Sequence, residues 1–219
     1  MSSAPERSRS VSPAEGAADR IRAGILAGDF APGQRLIESE LCERYGCSRG
    51  AVRAALVDLE HEGLVERIAN RGARVRAVGV EEAVAITEVR MVLEGLCAAK
   101  AAERVTEVQV AELRDIGRRM REAVAHGEVV VYSGLNTLLH DRLREIGRQP
   151  VASDLLANLL ARNVRRQFKL ALRPGRPQVS LPQHLAIIDA ICARDPAAAD
   201  RAAREHVADV IVAMREMDG

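Results

Sequence analysis

The sequence predicts a mainly α-helical protein, with one small β-hairpin in its first third and an all-helical antiparallel bundle after it. Three observations support this prediction. Apolar residues recur at helical spacing over most of residues 13–216. Asn-Arg-Gly at residues 70–72 separates two β-capable segments, as in a hairpin with Gly72 at positive φ. The chain of 219 residues is also long enough for two modest domains, each with its own core.

The composition is that of a globular protein without a global positive field. Hydrophobic residues make up 47% of the chain and charged residues 29%, and the net charge is +1. Nucleic-acid binding would therefore depend on a local basic patch. Aromatic residues are only 2% and Trp is absent, which argues against base stacking on an aromatic platform.

The sequence contains no targeting or membrane signal that we recognise. No apolar run approaches the roughly 20 residues that span a bilayer, and "MSSAPERSRSVS" lacks an apolar signal region. The four cysteines, Cys42, Cys47, Cys97 and Cys192, form no CxxC pair. We therefore expect reduced, mostly buried thiols in a cytoplasmic protein.

Capping and turn residues set the order of elements in the first third. Residues 1–11 are rich in Ser, Arg and Pro, and we expect a disordered tail. Ser12 is a candidate cap for a helix over 13–27. "GDFAPGQRL" is predicted as a loop, and helices follow over 38–45 and 48–62, separated by Gly46 and Cys47.

From about residue 80 onward the pattern is helical almost throughout. Thr106 with Gln109 resembles a capping box, and Asp195-Pro196 is a helix start. "LRPGRPQ" (172–178) is predicted as a break. We place the boundary between a domain over 12–78 and a domain over 79–219. The predicted helices are 81–102, 106–125, 129–146, 150–171, 179–193 and 196–216.

The first domain has the spacing of a helix-turn-helix followed by a wing. Its second helix carries Arg49 and Arg53 on one face, and no acidic residue lies between Ser48 and Val57. The wing segment from Arg67 to Arg76 contains four arginines, including both ends, and no acidic residue. Arginine can bind phosphates or guanine edges, and helix N-terminal amides suit a phosphate. The alternative is a small helical domain with a solvated arginine face.

These motifs resemble a known family. "ESELCERYGCSRGAVRAALVDLEHEGLV", the upstream "AGDFAPGQRL" and the wing "NRGARV" are similar to the winged-helix DNA-binding domain of GntR-type transcriptional regulators. The resemblance implies contacts to duplex operator DNA from the recognition helix and the wing. The residues that correspond to these contacts are Ser48, Arg49, Arg53, Arg71 and Gly72.

Three histidines of the second domain are predicted to point into its interior. Asn136 and His140 lie four residues apart on one helix, so their side chains converge. His184 precedes the buried face of "HLAIIDAI", and His206 lies on the apolar stripe of the last helix. Three imidazoles and an amide are a ligand set for a divalent transition metal. From spacing alone, hydrogen-bonded core histidines remain an equal alternative.

The second domain also resembles a known one. "ITEVRMVLEGLCAAKAA", "NTLLHDRL" and "SLPQHLAIIDAICARDPAAADRAAREH" are similar to the helical FCD effector domain of the FadR subfamily. The resemblance implies a metal site at Asn136, His140, His184 and His206, with Asn136 standing where the family usually has Asp. It also implies that Arg90 pairs with a carboxylate effector. A surface or interhelical salt bridge is the alternative role for Arg90.

The sequence thus predicts a cytoplasmic, homodimeric transcription regulator, a repressor rather than an enzyme. We expect it to bind a palindromic operator in double-stranded DNA and a small carboxylic acid effector. The expected cofactor is a divalent transition metal, Zn first, with Ni or Mn as alternatives. Two other hypotheses remain at this stage. One is a regulator with a metal-free pocket for a larger ligand such as an acyl thioester. The other is a metal-dependent hydrolytic enzyme.

Overall fold

The structure is a computed structural model that describes residues 13–68, 72–171 and 173–217. The chain divides into two compact units between Ala77 and Val78. Three of the expectations above fall outside the described residues, namely the disordered tail over 1–11, the cap at Ser12 and the DNA contact at Arg71.

The first unit contains helices at the predicted places and a small sheet. Gly46 ends the second helix with φ of 61°, a left-handed conformation that glycine adopts without steric cost. This residue allows the sharp turn into the third helix. The elements are α1 Pro13–Ala27, β1 Arg35–Leu36, α2 Glu38–Tyr45, α3 Arg49–His61, β2 Val65–Ile68 and β3 Gly72–Val75.

The predicted hairpin is confirmed, and it belongs to a larger sheet than expected. Strands β2 and β3 pair antiparallel, with Val65 opposite Val75. Gly72 has φ of 85°, which confirms the predicted positive φ. The segment "GDFAPGQRL" was predicted to be entirely loop, and this was wrong at its end. Its last two residues form β1, which pairs antiparallel with β3 and gives the sheet order β1-β3-β2.

The core of the first unit confirms the predicted packing of two helices across the turn. Helices α2 and α3 are in contact, and Leu41 of α2 is buried together with a set of α3 residues. Helix α1 packs on α3 as well and contributes Ile21. Burial of such side chains, at roughly 1.5–3 kcal/mol each, holds α3 by its apolar face and leaves its opposite face to solvent. The buried α3 residues are Ala51, Val52, Ala55, Leu56 and Leu59.

The second unit is helical, as predicted, with one boundary wrong. Helix α8 begins at Arg176, three residues before the predicted start, so the break expected over 172–178 is shorter. Proline is compatible with the first turn of a helix, and Pro177 occupies that turn. The elements are α4 Val80–Arg104, α5 Glu107–Ala125, α6 Val129–Gly147, α7 Pro150–Ala171, α8 Arg176–Cys192 and α9 Pro196–Glu216.

Two predicted caps fix the starts of helices in this unit. Thr106 and Gln109 form the capping box at α5, since the Thr106 side chain accepts from the Gln109 amide while the Gln109 side chain accepts from the Thr106 amide. Asp195 caps α9 by accepting from the amide of Ala198 at 2.9 Å. Each cap satisfies backbone donors that the helix itself leaves unpaired.

Helix α4 is the axis of the second unit. It packs along α9 and also contacts α6, α7 and α8. The end of α6 approaches it closely, because a Cβ at Gly147 would lie only 2.8 Å from the carbonyl oxygen of Cys97. The main apolar core includes Leu113, Leu139 and Ile187. The inward faces of α4, α6, α8 and α9 therefore converge on one interior.

The four thiols are less buried than predicted. Cys97 is buried, whereas Cys42, Cys47 and Cys192 are partly exposed. All four are free thiols. Within the described ranges, no helix is both long enough and apolar enough to cross a membrane.

Candidate functional site

Three histidines from three helices meet inside the second unit. His140 lies on α6, His184 on α8 and His206 on α9, and one ring nitrogen of each lies within 4.8 Å of the other two. The ring centroids of His184 and His206 are 4.4 Å apart, and that of His140 is 5.5 Å from His184. We call these three residues the histidine cluster. Its position confirms the prediction that the three imidazoles point inward together.

His184 is held by a tyrosine on another helix. Its Nδ1 lies 2.8 Å from the hydroxyl of Tyr132, on α6. The side chain is 1% exposed, and its Nε2 is buried without a hydrogen-bond partner among the described residues. In the tautomer that leaves Nε2 as an acceptor, Nδ1–H donates to Tyr132. A buried unpaired nitrogen of this kind is costly unless a ligand uses it.

The other two imidazoles are also engaged through Nδ1. The Nδ1–H of His206 donates to the side-chain oxygen of Gln183 at 2.9 Å. The Nδ1 of His140 lies 3.4 Å from Glu94 Oε2, at ion-pair distance. Metal-binding histidines typically donate their second ring nitrogen to such a partner, which fixes the tautomer and the ring orientation. The arrangement leaves Nε2 available on all three members of the histidine cluster.

Burial favours the neutral, metal-binding form of these imidazoles. It lowers the pKa of His184 and of His206 well below the usual histidine value, and the neighbouring histidines lower both further. Burial also lowers the pKa of His140, although the Glu94 carboxylate opposes that shift. A metal ion binds neutral imidazole, so the histidine cluster is in the correct protonation state at neutral pH.

Asn136 offers a candidate oxygen ligand on the face of α6 that carries His140. It lies one helical turn before His140 on α6, so the two side chains share a face. Its side-chain oxygen is buried and has no hydrogen-bond partner among the described residues. The side-chain oxygen of Asn136 and the Nε2 of His184 are thus both buried ligand atoms without a hydrogen-bond partner among the described residues. These two residues therefore fit a metal site.

Arg90 is buried rather than at the surface. It is 5% exposed, and its Nε and Nη2 both donate to Glu94 Oε1, at 2.9 and 2.7 Å. Burial alone would raise the pKa of Glu94, but the charges of Arg90 and His140 hold it below its usual value. The Nη1 of Arg90 is buried with no partner among the described residues. Arg90 therefore forms a salt bridge, but it is buried within α4 rather than at the surface or between helices, and Glu94 connects Arg90 to His140.

A second arginine, which the sequence did not reveal as a site residue, lies at the start of α8, the helix that carries His184. The side chain of Arg176 is 9% exposed, and its Nη1 donates to Asp209 Oδ2 at 2.6 Å. Its Nη2 is buried without a partner in the described part of the chain. The Arg176 charge lowers the pKa of both His184 and His206, so it acts on the histidine cluster.

Tyr132 and Glu94 were not predicted as site residues, although the helical spacing of the sequence pointed to both. Tyr132, Asn136 and His140 follow one another at four-residue spacing, which places them on one face of α6. Glu94 follows Arg90 by four residues, the spacing of a helical ion pair. Arg176 had no comparable signal, because its role depends on where the start of α8 lies relative to α9.

The predicted DNA-contacting residues of the first unit lie on its exposed face. Ser48 caps α3, where its side chain accepts from the amide of Ala51 at 3.2 Å. Arg49 and Arg53 are exposed on the same helix. Arg53 is not free, since its Nε donates to Glu38 Oε2 at 2.8 Å. Gly72 is exposed at the start of β3.

Comparison with known proteins assigns both units. Residues 13–75 match the family described as bacterial regulatory proteins, gntR family, and residues 85–209 match the FCD domain. The FCD match alone covers more than half of the chain. The chain belongs to the GntR family, with an FCD domain. Members of this family are transcriptional regulators and not enzymes, so the chain is a DNA-binding transcriptional regulator.

Individual GntR-family relatives match nearly the full length. The chain is 28% identical over 197 residues to the HTH-type transcriptional repressor RspR of Escherichia coli strain K12, covering 90% of this chain and 86% of the relative. It is also 28% identical to the repressor NanR of Cronobacter sakazakii, covering 83% and 77%. The solved structure of E. coli McbR/YncC has the same fold, with a TM-score of 0.78 at 22% identity, and covers 96% of this chain and 100% of that one.

Proposed function

We propose that this GntR-family regulator is a cytoplasmic homodimeric repressor whose operator affinity is controlled by a small carboxylic acid. The acid would bind beside a divalent transition metal, with Zn as the first choice and Ni or Mn as alternatives. One observation carries the proposal. Three imidazoles from three helices place a nitrogen within 4.8 Å of one another, and each is engaged elsewhere through Nδ1.

The residues that would hold the metal are Asn136, His140, His184 and His206. Three imidazole nitrogens and an amide oxygen suit the borderline-soft divalent ions of the first transition row. A bound ion would supply positive charge and an open position for an oxygen ligand. Tyr132, Gln183 and Glu94 would hold the three rings in orientation. The fit rests on the unpaired ligand atoms of Asn136 and His184.

The proposed donor set is unusual in carrying no negative charge. An asparagine oxygen and three neutral imidazoles leave the charge of a divalent ion uncompensated. An anion is therefore the favoured ligand of the site. Arg90 supports the same choice, because its unpaired Nη1 would donate to a carboxylate oxygen in a charge-assisted hydrogen bond.

The first unit would bind operator DNA through α3 and the wing. The N-terminus of α3 would enter the major groove, with Ser48 and the helix amides at a phosphate and with Arg49 and Arg53 at phosphates or guanine edges. Arg53 would exchange its exposed pair with Glu38 for the DNA. Gly72 and Arg71 of the wing would lie against the adjacent backbone.

An exposed apolar face on the second unit supports the homodimer. Val89, Val92 and Leu96 of α4 are 39–51% exposed, and Val151 and Leu155 are exposed on α7, which packs against α4. A contiguous apolar face on a protein of this size typically marks an interface, and a two-fold dimer covers such a face with its own copy. A two-fold dimer would in turn read a palindromic operator.

We propose repression because the relatives RspR and NanR are named as repressors. Effector binding would then favour a conformation with lower operator affinity and release the promoter. The size of this effect equals the difference in effector affinity between the free and the DNA-bound protein.

The DNA part of the proposal is tested by operator binding. Fragments selected from genomic DNA by the full chain would be measured by fluorescence anisotropy at fixed salt. Arg49→Ala and Arg53→Ala should each weaken binding by about 1–3 kcal/mol. Arg118→Ala is the matched control, because it removes an exposed arginine from the second unit. Unchanged binding by both α3 variants would overturn the assignment.

The dimer and the effector have separate tests. Val92→Glu should convert a sedimenting dimer to monomer, whereas Val108→Glu, which alters an exposed valine on α5, should not. A thermal-shift screen of small organic acids, with and without zinc, should give stabilisation that requires the metal. Stabilisation only by larger ligands, and without metal, would favour the metal-free alternative.

A further inference from the structure

We infer that Arg176 is a second anion-binding residue of the effector site, and that the effector is a dicarboxylic acid. The inference rests on the proposed function, because it takes the acid to bind beside the histidine cluster. It goes beyond that proposal by naming a residue and by restricting the chemical class of the ligand.

The first support is the way in which Arg176 is held. The charged group is buried at the start of α8, and one of its terminal nitrogens donates to Asp209 on α9. Its other terminal nitrogen is buried with no partner among the described residues. A buried guanidinium donor without a partner is costly, and a ligand acceptor would remove that cost.

Arg90 is built in the same way. A carboxylate one helical turn away accepts from its Nε and Nη2, and its Nη1 is left buried and unpaired. Each guanidinium is thus fixed by one carboxylate, Glu94 or Asp209, and keeps one N–H group for another acceptor. Pre-oriented donors of this kind bind a carboxylate without the entropy cost of ordering a long side chain.

The two arginines lie beside different members of the histidine cluster. Glu94 joins Arg90 to His140 on the α4 and α6 side. Arg176 lies at the start of α8, the helix that carries His184, and its partner Asp209 follows His206 by three residues on α9. His206 is affected by both charges. A ligand that satisfies both guanidinium groups therefore needs two acidic groups.

The charges of the site lead to the same result. The guanidinium charges of Arg90 and Arg176 are balanced by Glu94 and Asp209, and the proposed metal ligands are neutral. The divalent charge of the bound ion then remains without compensation. A monocarboxylate would neutralise half of that charge, whereas a dicarboxylate would neutralise all of it.

The test uses two probes of nearly equal size and different charge. Succinate and succinamate, its monoamide, would be titrated by calorimetry into the zinc-loaded full chain at fixed ionic strength. We expect succinate to bind at least about tenfold more tightly, a ratio that corresponds to 1.4 kcal/mol. Equal binding of the two would overturn the inference and leave the proposed carboxylate sensing in place. Binding of neither would overturn both.

Variants test whether Arg176 binds the second carboxylate of succinate. Arg176→Gln should reduce the ratio of succinate affinity to succinamate affinity to about twofold or less. Arg173→Gln is the matched control, because it removes an exposed arginine from the same segment. If Arg176→Gln keeps the full preference for succinate, Arg176 is not the second binding residue. If the Arg176→Gln variant fails to fold, the ratio of succinate affinity to succinamate affinity in the unaltered protein still decides the ligand class.

A third probe separates two kinds of second acidic group. Guanidinium groups bind carboxylates and phosphates alike. Titration of 3-phosphonopropionate compares a phosphonate with the second carboxylate of succinate over a linker of the same length. Weaker or equal binding of the phosphonate supports the dicarboxylate, and clearly tighter binding would overturn that choice.

Discussion

The hydroxyl of Tyr132 and the Nδ1 of His184 lie 2.8 Å apart, and this contact joins α6 to α8 at the histidine cluster. It leaves the Nε2 of a nearly fully buried imidazole without a hydrogen-bond partner in the described part of the chain. We propose that the contact orients His184 for the ligand of the proposed metal site.

Tyr132→Phe should weaken metal binding about 10–100-fold, because it removes the acceptor that fixes the tautomer and orientation of His184. Affinity would be measured by competition with a chelator of known zinc affinity. Tyr45→Phe is the matched control, since Tyr45 is the other tyrosine of the chain and lies in the first unit. Equal affinity of Tyr132→Phe and the unaltered protein would show that the contact has no role in the metal site.

Asn136→Asp should tighten metal binding by at least about tenfold, because a carboxylate adds a negative charge next to a divalent ion. The same chelator competition measures the change. Thr137→Asp introduces the same charge at the next residue, which is exposed, and should have little effect. A similar gain from both variants would mean that general electrostatics, and not ligation by residue 136, is responsible.

The metal-free protein should lose stability as the pH falls below about 6.5, the usual histidine pKa in an unfolded chain. Burial lowers the pKa of His140, His184 and His206, so the unfolded state binds more protons in this range. The contribution of the neutral histidines to the free energy of unfolding is therefore complete above pH 6.5. It decreases as the pH falls from 6.5 toward the lowered pKa values of the folded protein. The slope approaches about 1.4 kcal/mol per pH unit for each histidine that stays neutral.

Urea unfolding of chelator-treated protein at pH 7.5 and 5.5 measures this dependence. His184→Asn should make the dependence shallower, whereas His126→Asn, which changes an exposed histidine, should not. The lowered pKa of Glu94 acts only below its ordinary value of 4.5, outside this window. A free energy of unfolding that stays constant between the two pH values would contradict the neutral, buried state of the histidine cluster.

Glu38→Gln should increase operator affinity about two- to fivefold. The exposed pair between Arg53 and Glu38 competes with the DNA, and such pairs contribute roughly 0.2–1 kcal/mol. Anisotropy at fixed salt measures the affinity. Glu43→Gln removes a similar exposed charge from α2 and controls for simple repulsion of the DNA. An equal gain from both variants would assign the effect to net charge alone.

Much of the fold follows from local sequence signals. Helical periodicity, the caps at Thr106 and Asp195 and the turns at Gly46 and Gly72 each act within a few residues, and the structure confirms them. Strand β1 was missed because two residues carry no periodicity and its pairing with β3 is long-range. The start of α8 was missed because "RPGRP" has the composition of a loop, although proline fits a first helical turn.

The same distinction applies to the site. Asn136 and His140 were predictable as a pair because they share one helix face. The partners that hold the imidazoles come from other helices, as with Gln183 on α8 and His206 on α9. Arg176 depends on packing of the α8 start against Asp209. Contacts of this kind are set by helix packing, which spacing within one helix does not encode.

The central claim is a metal held by the histidine cluster, and elemental analysis of the tag-free purified protein tests it most directly. We expect about one divalent transition metal per chain. His184→Asn and His206→Asn should lose it, and His126→Asn, at an exposed position, should retain it. A protein that contains no metal and takes up none on titration with Zn, Ni or Mn would contradict the claim.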